Sequence, residues 1–308
     1  MDTAQPSPSQ RICFIGMGVM GFPMAGHLAK NGHQVTVYNR SPEKSERWFK
    51  QHNGKFIRKL RDAAQSDVVI SCIGNDEDLR KTYLGDDGLI RLLPKGALIV
   101  DHTTASAGVA REISEAADEK GIDFLDAPVS GGQQGAENGS LTIMCGGTEN
   151  GFNRAKPILD VYSKACALMG PAGSGQLTKM VNQIAIAGLV QGLSEALNFA
   201  QISGLDCQRV IEVISKGAAQ SWQMENRHKT MLEDHYDHGF AVDHMRKDLG
   251  ICLHEANERG ARLPVTALVD QFYGEIQDMG GGRWDTSSLL KRLQSFKKPI
   301  EQDPQASS

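Results

Sequence analysis

The chain has 308 residues, 40% hydrophobic and 23% charged, with a formal net charge of −4. That length suits two domains or one large one, and the balance is that of a globular protein. The weakly acidic charge argues against nucleic acid or an anionic membrane as partner, and no apolar run approaches the ~20 residues that span a bilayer.

Residues 1–10 are rich in Ser, Pro and Gln and have neither a basic n-region nor an apolar core. They read as a disordered tail, not a secretory signal. The six cysteines show no C-x-x-C spacing, and Cys13 and Cys72 fall in expected buried strands. Reduced core thiols in a cytoplasmic protein are the simplest reading.

From Arg11 to about Ala172, short apolar runs alternate with helical patterns. The runs are Ile12–Ile15, Gln34–Tyr38, Val68–Ile73, Leu98–Asp101, Asp123–Ala127 and Thr142–Cys145. Helices are expected over Met20–Asn31, Glu43–Gln51, Glu77–Tyr83 and Gly108–Lys120. This alternation predicts an α/β domain with a Rossmann-type, doubly wound parallel sheet. The strands lack polar alternation, as when both faces are covered.

The first run leads into Gly16-Met17-Gly18-Val19-Met20-Gly21. In a G-x-G-x-x-G between strand and helix, the first glycine allows a tight turn and the second lets a pyrophosphate approach. The third lets helix pack on strand, and the helix N-terminus faces the phosphates. The match alone is also what a plain glycine turn looks like. The end of the second run adds context: Asn39-Arg40-Ser41-Pro42, with Lys44 close behind. An NAD enzyme usually places an acid here, whereas Arg40 suits a 2′-phosphate, so NADP is expected over NAD. Arg40 also reads as a solvated loop residue, since Ser41-Pro42-Glu43 has the pattern of an N-cap with Pro at the first helical position.

The fifth run ends in Asp126-Ala-Pro-Val-Ser130-Gly131-Gly132. This loop falls at the carboxyl edge of the expected sheet, where ligands bind in open α/β folds. The Ser130 hydroxyl and the Gly131 and Gly132 amides could cradle a carboxylate; a glycine turn needed only for chain reversal fits equally well.

Beyond Gly170-Pro-Ala-Gly173-Ser-Gly175 the character changes. A long helical pattern from Gln176 to about Ser203 carries a wide apolar stripe, which predicts burial among other helices. Further helices are expected at Asp206–Ser215, Met245–Arg259 and Pro264–Met279. The resulting organisation is a tail (1–10), a dinucleotide-binding domain (11–172), an all-helical domain (173–298) and a second tail (299–308). Lys179, Asn182 and Gln183 stand at i, i+3 and i+4 in apolar surroundings. Such a lysine can serve as general acid–base toward a carbonyl or hydroxyl. The alternative is a surface lysine that snorkels.

The polar segment Glu233–His244 has no zinc-signature spacing and reads as a loop. Gly280-Gly-Gly282 reads as a helix stop, and Trp222 and Trp284 as packing residues.

Four ordered blocks resemble the β-hydroxyacid dehydrogenases, the family of 3-hydroxyisobutyrate dehydrogenase, tartronate semialdehyde reductase and the glyoxylate/succinic semialdehyde reductases. The blocks are Phe14–Ala25, Asp126–Gly132 with Gly139–Thr142, Gly173–Gln183, and Lys247-Asp248-Leu249. The resemblance implies that Lys179 is the catalytic lysine and that Ser130, Gly131 and Gly132 hold the substrate carboxylate. It implies that Asn182 and Gln183 orient the substrate; some relatives carry a second Asn at the latter position, so pocket dimensions differ. Thr104 matches the residue beside the nicotinamide, Phe240 and Lys247 match positions closing over the cofactor, and Asp248 an acid near the catalytic lysine. Arg40 matches the arginine of the NADP-preferring branch, and a homodimer or homotetramer is implied. The competing readings are an imine reductase, which usually lacks this lysine, and a catalytically silent dehydrogenase-like binding module. The particular hydroxy acid or semialdehyde is not legible.

Overall fold

The computed structural model describes residues 9–296. In chain order the first elements are β1 (Arg11–Ile15), α1 (Gly21–Lys30), β2 (Gln34–Tyr38), α2 (Pro42–Gln51), β3 (Lys55–Phe56), β4 (Val68–Ser71), α3 (Asp76–Tyr83) and α4 (Leu89–Leu92). Then come β5 (Leu98–Asp101), α5 (Ala107–Asp118), β6 (Asp123–Asp126), β7 (Val129–Ser130), α6 (Gly132–Glu137), β8 (Leu141–Gly147), α7 (Glu149–Leu159) and β9 (Ser163–Gly170). Six helices follow: α8 (Ser174–Ile202), α9 (Cys207–Ile214), α10 (Trp222–Leu232), α11 (Val242–Arg259), α12 (Pro264–Asp278) and α13 (Leu289–Ser295).

The strands form one nine-stranded sheet in the order β3-β2-β1-β4-β5-β6-β8-β7, with β9 on β8. The β3-to-β6 portion is parallel throughout, as the buried apolar runs predict. Its strand order reverses between β1 and β4, which opens a crevice at their carboxyl ends. Beyond β6 the sheet departs from the expected all-parallel form: β8 runs antiparallel to β6 and β7, and β9 parallel to β8. No strand was expected over β9: its apolar stretch Ala165 to Met169 is built mostly of small residues rather than β-branched ones, and none of its residues is fully buried. Helix α7 escaped because it is polar and carries Pro157.

Two apolar cores flank the sheet. One gathers Phe14, Met24, Leu28, Trp48, Ile143 and Tyr162; the other gathers Leu79, Tyr83, Ile99, Val109 and Ile113. Burial at about 25 cal/mol per Å² of apolar surface makes these cores the main stabilising term of this unit. The expected tails lie outside the described residues, except that Ser9 and Gln10 pack on the turn before β2. There Ser9 Oγ donates to Gly32 O (2.9 Å) and Gln10 N to His33 Nδ1 (3.3 Å).

Contacts divide the chain between Asn182 and Gln183. The division falls inside α8, past the Gly-rich break at which the sequence suggests it, because the first turns of α8 are tied to β6. The second unit is helical. Its cores form around Ala187, Val190, Met245, Leu249 and Tyr273, and around Leu193, Leu197, Met224 and Tyr236. Helix α10 was not expected: only Met224, His228 and Met231 are buried in an otherwise polar stretch. Ser221 starts it by accepting the Met224 N–H (3.1 Å). Trp284 packs against both cores. Trp222 does not pack as expected; it is 46% exposed, with the Arg227 guanidinium 4.9 Å above its ring. All six cysteines are free thiols. Among the described residues no helix is long and apolar enough to cross a membrane.

Candidate active site

The turn after β1 has the geometry its glycines require. Gly16 has φ +100°, and a Cβ there would run into the Cys72 carbonyl. A Cβ on Gly21 would sit inside van der Waals contact of Gly16 O and 2.9 Å from the Phe14 ring. Gly18 differs: a Cβ there would meet nothing within 4 Å. Its missing side chain therefore leaves room on the outside of the turn. Met17 is buried and Val19 is 61% exposed. Helix α1 has no side-chain cap at Met20 and no acid in its first turn, so its N-terminal N–H groups are suited to an anion. These features fit a dinucleotide pyrophosphate.

At the end of β2, Asn39 is tied to the glycine turn. Its Oδ1 accepts the Met17 N–H (2.9 Å) and its Nδ2 donates to Ser41 O (3.0 Å), which braces the glycine turn. Arg40 projects outward with its side chain 86% exposed, 3.3 Å from Asp78 Oδ1. Ser41 occupies the N-cap position with Pro42 behind it, but its hydroxyl makes no cap hydrogen bond. Arg40 and Ser41 are both exposed, and a guanidinium beside a hydroxyl is a donor set that fits a 2′-phosphate.

Along the carboxyl edge, Ser71, Asp101 and Asp126 end β4, β5 and β6 in register. Asp101 Oδ1 accepts from Ser71 Oγ (2.6 Å) and Thr103 Oγ1 (2.7 Å), and Tyr83 OH donates to Ser71 Oγ (2.7 Å). Burial pushes the Asp101 carboxyl up to about 7, against the pull of the Ser71 and Thr103 hydrogen bonds. Beside it, burial lowers His102 to about 4. The neutral imidazole donates from Nδ1 to Ala127 O (2.6 Å) and accepts from Tyr162 OH at Nε2 (2.8 Å).

Asp126 caps α8. Its Oδ1 accepts the Gly173 N–H (2.7 Å) and its Oδ2 the Gln176 N–H (2.8 Å). Burial raises this carboxyl to about 6, with those two backbone bonds opposing. Gly146 and Gly175 are required by the approach: a Cβ on either would fall on Asp126 or on the main chain around it. The cap fixes the first turns of α8. Lys179 stands on them, only 7% exposed, with Asn182 three residues on along the same face. A lysine this buried is not the snorkelling surface residue of the alternative reading. Ser130 Oγ lies 3.4 Å from Asn182 Oδ1, so the Ser-Gly-Gly loop and the lysine-bearing helix meet here. Gly131 and Gly132 have φ +133° and +60°, and Gly132 is open to one side. Thr104 follows β5, half-buried.

Three candidates belong together in the second unit. Gln183 Nε2 donates to Asp248 Oδ2 (2.7 Å), and Lys247 Nζ lies 3.3 Å from Asp248 Oδ1. Gln183 and Asp248 are both 2% exposed. Phe240 is held by its main chain, N–H to Asp285 Oδ2 (2.9 Å). Among the described residues no group of three or more His, Cys, Asp or Glu converges to hold a metal.

Ser71, Thr103, Gln176 and the capping role of Asp126 were not foreseen. The signal available was a polar residue closing each of three buried apolar runs.

A glycine turn of this geometry between β1 and α1, at a sheet edge to which α8 brings a buried lysine, fits an NAD(P)-binding oxidoreductase. Residues 11–170 match the NAD-binding domain of 6-phosphogluconate dehydrogenase, and residues 173–293 match the NAD-binding domain of NADP-dependent 3-hydroxyisobutyrate dehydrogenase. An uncharacterised oxidoreductase of Shewanella frigidimarina is 61% identical over 288 residues, 93% of this chain and 99% of that one. The 2-hydroxy-3-oxopropionate reductase of Escherichia coli is 33% identical over 285 residues, 92% and 97% of the two chains. The solved structure of Mycobacterium tuberculosis 3-hydroxyisobutyrate dehydrogenase with L-serine superposes with a TM-score of 0.84 at 28% identity, covering 93% of this chain and 99% of that one. The chain belongs to the 3-hydroxyisobutyrate dehydrogenase family of β-hydroxyacid dehydrogenases. It is thus an NAD(P)-dependent oxidoreductase acting on CH–OH groups.

Proposed function

We propose that the protein is an NADP-dependent reductase interconverting a small carboxylate-bearing aldehyde, a semialdehyde or glyoxylate, and its hydroxy acid, with Lys179 as general acid and base. The observation that carries this reading is the burial of Lys179 on the helix face shared with Asn182, where the Ser130 loop arrives. Bound NADPH would supply the hydride. Gly16 to Gly21 and the start of α1 would hold the pyrophosphate, Arg40 and Ser41 the 2′-phosphate, and Thr104 would lie at the nicotinamide. The Ser130 hydroxyl and the Gly131 and Gly132 amides would hold the carboxylate, with Asn182 orienting the carbonyl. Lys179 Nζ would deliver a proton as negative charge grows on the carbonyl oxygen, and remove it from the hydroxyl in the reverse direction. An ammonium shielded from water stabilises that charge more than an exposed one. Roles for Gln183, Phe240, Lys247 and Asp248 rest on the resemblance and belong to the same proposal.

The relatives support the substrate class. The Escherichia coli enzyme is named for a carboxylate-bearing aldehyde, and the L-serine of the Mycobacterium structure carries a β-hydroxyl and a carboxylate. Helix α8 also supports a homodimer or homotetramer: Ala185, Leu189, Gly192, Phe199 and Ile202 form an exposed apolar stripe with small residues that permit close approach. Six free thiols suit the cytoplasm. The test is NADPH and NADH oxidation against a panel of small carboxylate-bearing aldehydes. Turnover with NADPH on one of them is expected; turnover only on imines, or none despite cofactor binding, would contradict the reading.

A further inference from the structure

We propose that Gln176 is a positioning residue that locks the loop carrying Thr104 to the helix carrying Lys179. The roles of Thr104 and Lys179 rest on the reductase reading above; the lock itself rests on geometry.

Gln176 is 1% exposed, and both ends of its carboxamide meet main chain. Nε2 donates to Thr103 O (2.7 Å), and Oε1 accepts the Ala105 N–H (3.0 Å). The two bonds fall on either side of Thr104, as the bonds of a neighbouring strand would. Thr103 is held from a second direction, since its Oγ1 donates to Asp101 and accepts the Ile73 N–H (3.0 Å). Gln176 is itself fixed, its own N–H bound to Asp126 Oδ2 (2.8 Å). Lys179 comes three residues later, about 4.5 Å along the same helix at 1.5 Å per residue. The side chain therefore fixes the spacing between the loop that would meet the nicotinamide and the group that would move the proton.

Only a side chain with a donor and an acceptor at this reach does both jobs. Leu offers neither, and would orphan a buried carbonyl and a buried N–H. Ionised Glu would satisfy the Ala105 N–H but set a carboxylate oxygen against the Thr103 carbonyl. Protonated Glu would restore the pair.

The experiment compares wild type with Gln176→Leu and Gln176→Glu. For each, NADPH binding stoichiometry, kcat, KM, and the deuterium isotope effect from NADPH labelled at the transferred hydrogen are measured across pH. Exchange of the Ala105 amide hydrogen is followed alongside. Gln176→Leu should bind NADPH stoichiometrically while kcat falls about 10- to 100-fold, because misplacement of about 1 Å costs on that order. Its isotope effect should grow and its Ala105 protection should vanish. Gln176→Glu should gain an activity limb that falls as pH rises, absent from wild type and from Gln176→Leu. An unchanged kcat in Gln176→Leu that binds NADPH, or activity lost only in proportion to the non-binding fraction, would overturn the proposal. Should Gln176→Leu fail to fold, a Gln176→Glu profile parallel to wild type would overturn it instead. If wild type reduces no aldehyde, the reductase reading fails separately. Ala105 protection then still decides the lock: unchanged protection in a folded variant refutes it.

Discussion

Gly18 and Gly21 sit three residues apart in one turn, and the structure gives alanine opposite consequences at the two. At Gly18 an added methyl meets no protein atom within 4 Å, and φ is not in the positive range. Gly18→Ala should leave the ligand-free fold as stable as wild type or stabilise it by about 0.4–1 kcal/mol, through a stiffer unfolded chain. At Gly21 the methyl would press on the Gly16 carbonyl and the Phe14 ring. The turn must open, and overpacking of that kind costs about 1–3 kcal/mol. For a unit of this size each kcal/mol moves the melting temperature by roughly 2–4 °C, so Gly21→Ala should melt several degrees early. NADPH reverses the order of wild type and Gly18→Ala. At a hundred times its Kd a ligand adds about 2.7 kcal/mol to the native state. Wild type should gain that shift; Gly18→Ala, whose methyl fills the space left for the pyrophosphate, should gain little. Thermal unfolding with and without NADPH reads both effects. A full NADPH shift in Gly18→Ala, or a ligand-free Gly18→Ala less stable than Gly21→Ala, would refute the reasoning.

Arg40→Ala should weaken NADPH about ten- to a hundredfold, the worth of a charge-assisted hydrogen bond of about 1.5–3 kcal/mol, and leave NADH nearly unchanged; equal effects on the two in KM measurements would remove the 2′-phosphate role. Asp101→Asn tests the buried carboxyl at the sheet edge. Its folded value of about 7 lies above its ordinary 3.8, so between those values the native state holds a proton that the unfolded chain has released, and stability from this group falls as pH rises. Denaturation at pH 5 and pH 8 should show Asp101→Asn gaining on wild type as pH rises, by up to about 2.7 kcal/mol, from roughly two units between pH 5 and the folded value at 1.36 kcal/mol per unit. Parallel curves would show that the carboxyl does not titrate there. The comparison sets aside His102, which runs the opposite way; Asp126, which runs the same way and whose charge helps raise Asp101, titrates more freely in Asp101→Asn. Leu189→Glu with Phe199→Glu should reduce the molar mass by light scattering to that of one chain; a monomeric wild type would end the oligomer proposal.

What the sequence discloses here depends on how local the cause is. The turn from Gly16 to Gly21 is legible because its glycines recur at a fixed spacing between an apolar run and a helical pattern, and α8 because its apolar stripe runs unbroken. The strands β1, β2, β4, β5 and β6 are legible as apolar runs. Strand β9 and helix α10 are not: β9 fully buries none of its residues, and α10 buries only Met224, His228 and Met231 in an otherwise polar stretch. The site divides in the same way. Lys179 and Arg40 stand out as cations where acids or apolar residues would be ordinary. The bonds that place Lys179 join Asp126 to Gln176 and Gln176 to Thr103 across 50 and 73 residues. No spacing rule reaches that far. Asn39 shows a role that its position does not disclose: its amide also braces the turn itself.

Whether Lys179 moves the proton is decided by Lys179→Ala once a reducible aldehyde is in hand. The variant's fold and its NADPH binding are checked first, and kcat is then compared with wild type. Lys179→Ala should retain NADPH binding with a kcat lower by about 10²- to 10⁴-fold, the range that general acid–base groups contribute. Wild-type turnover in a folded, NADPH-binding Lys179→Ala would contradict that role.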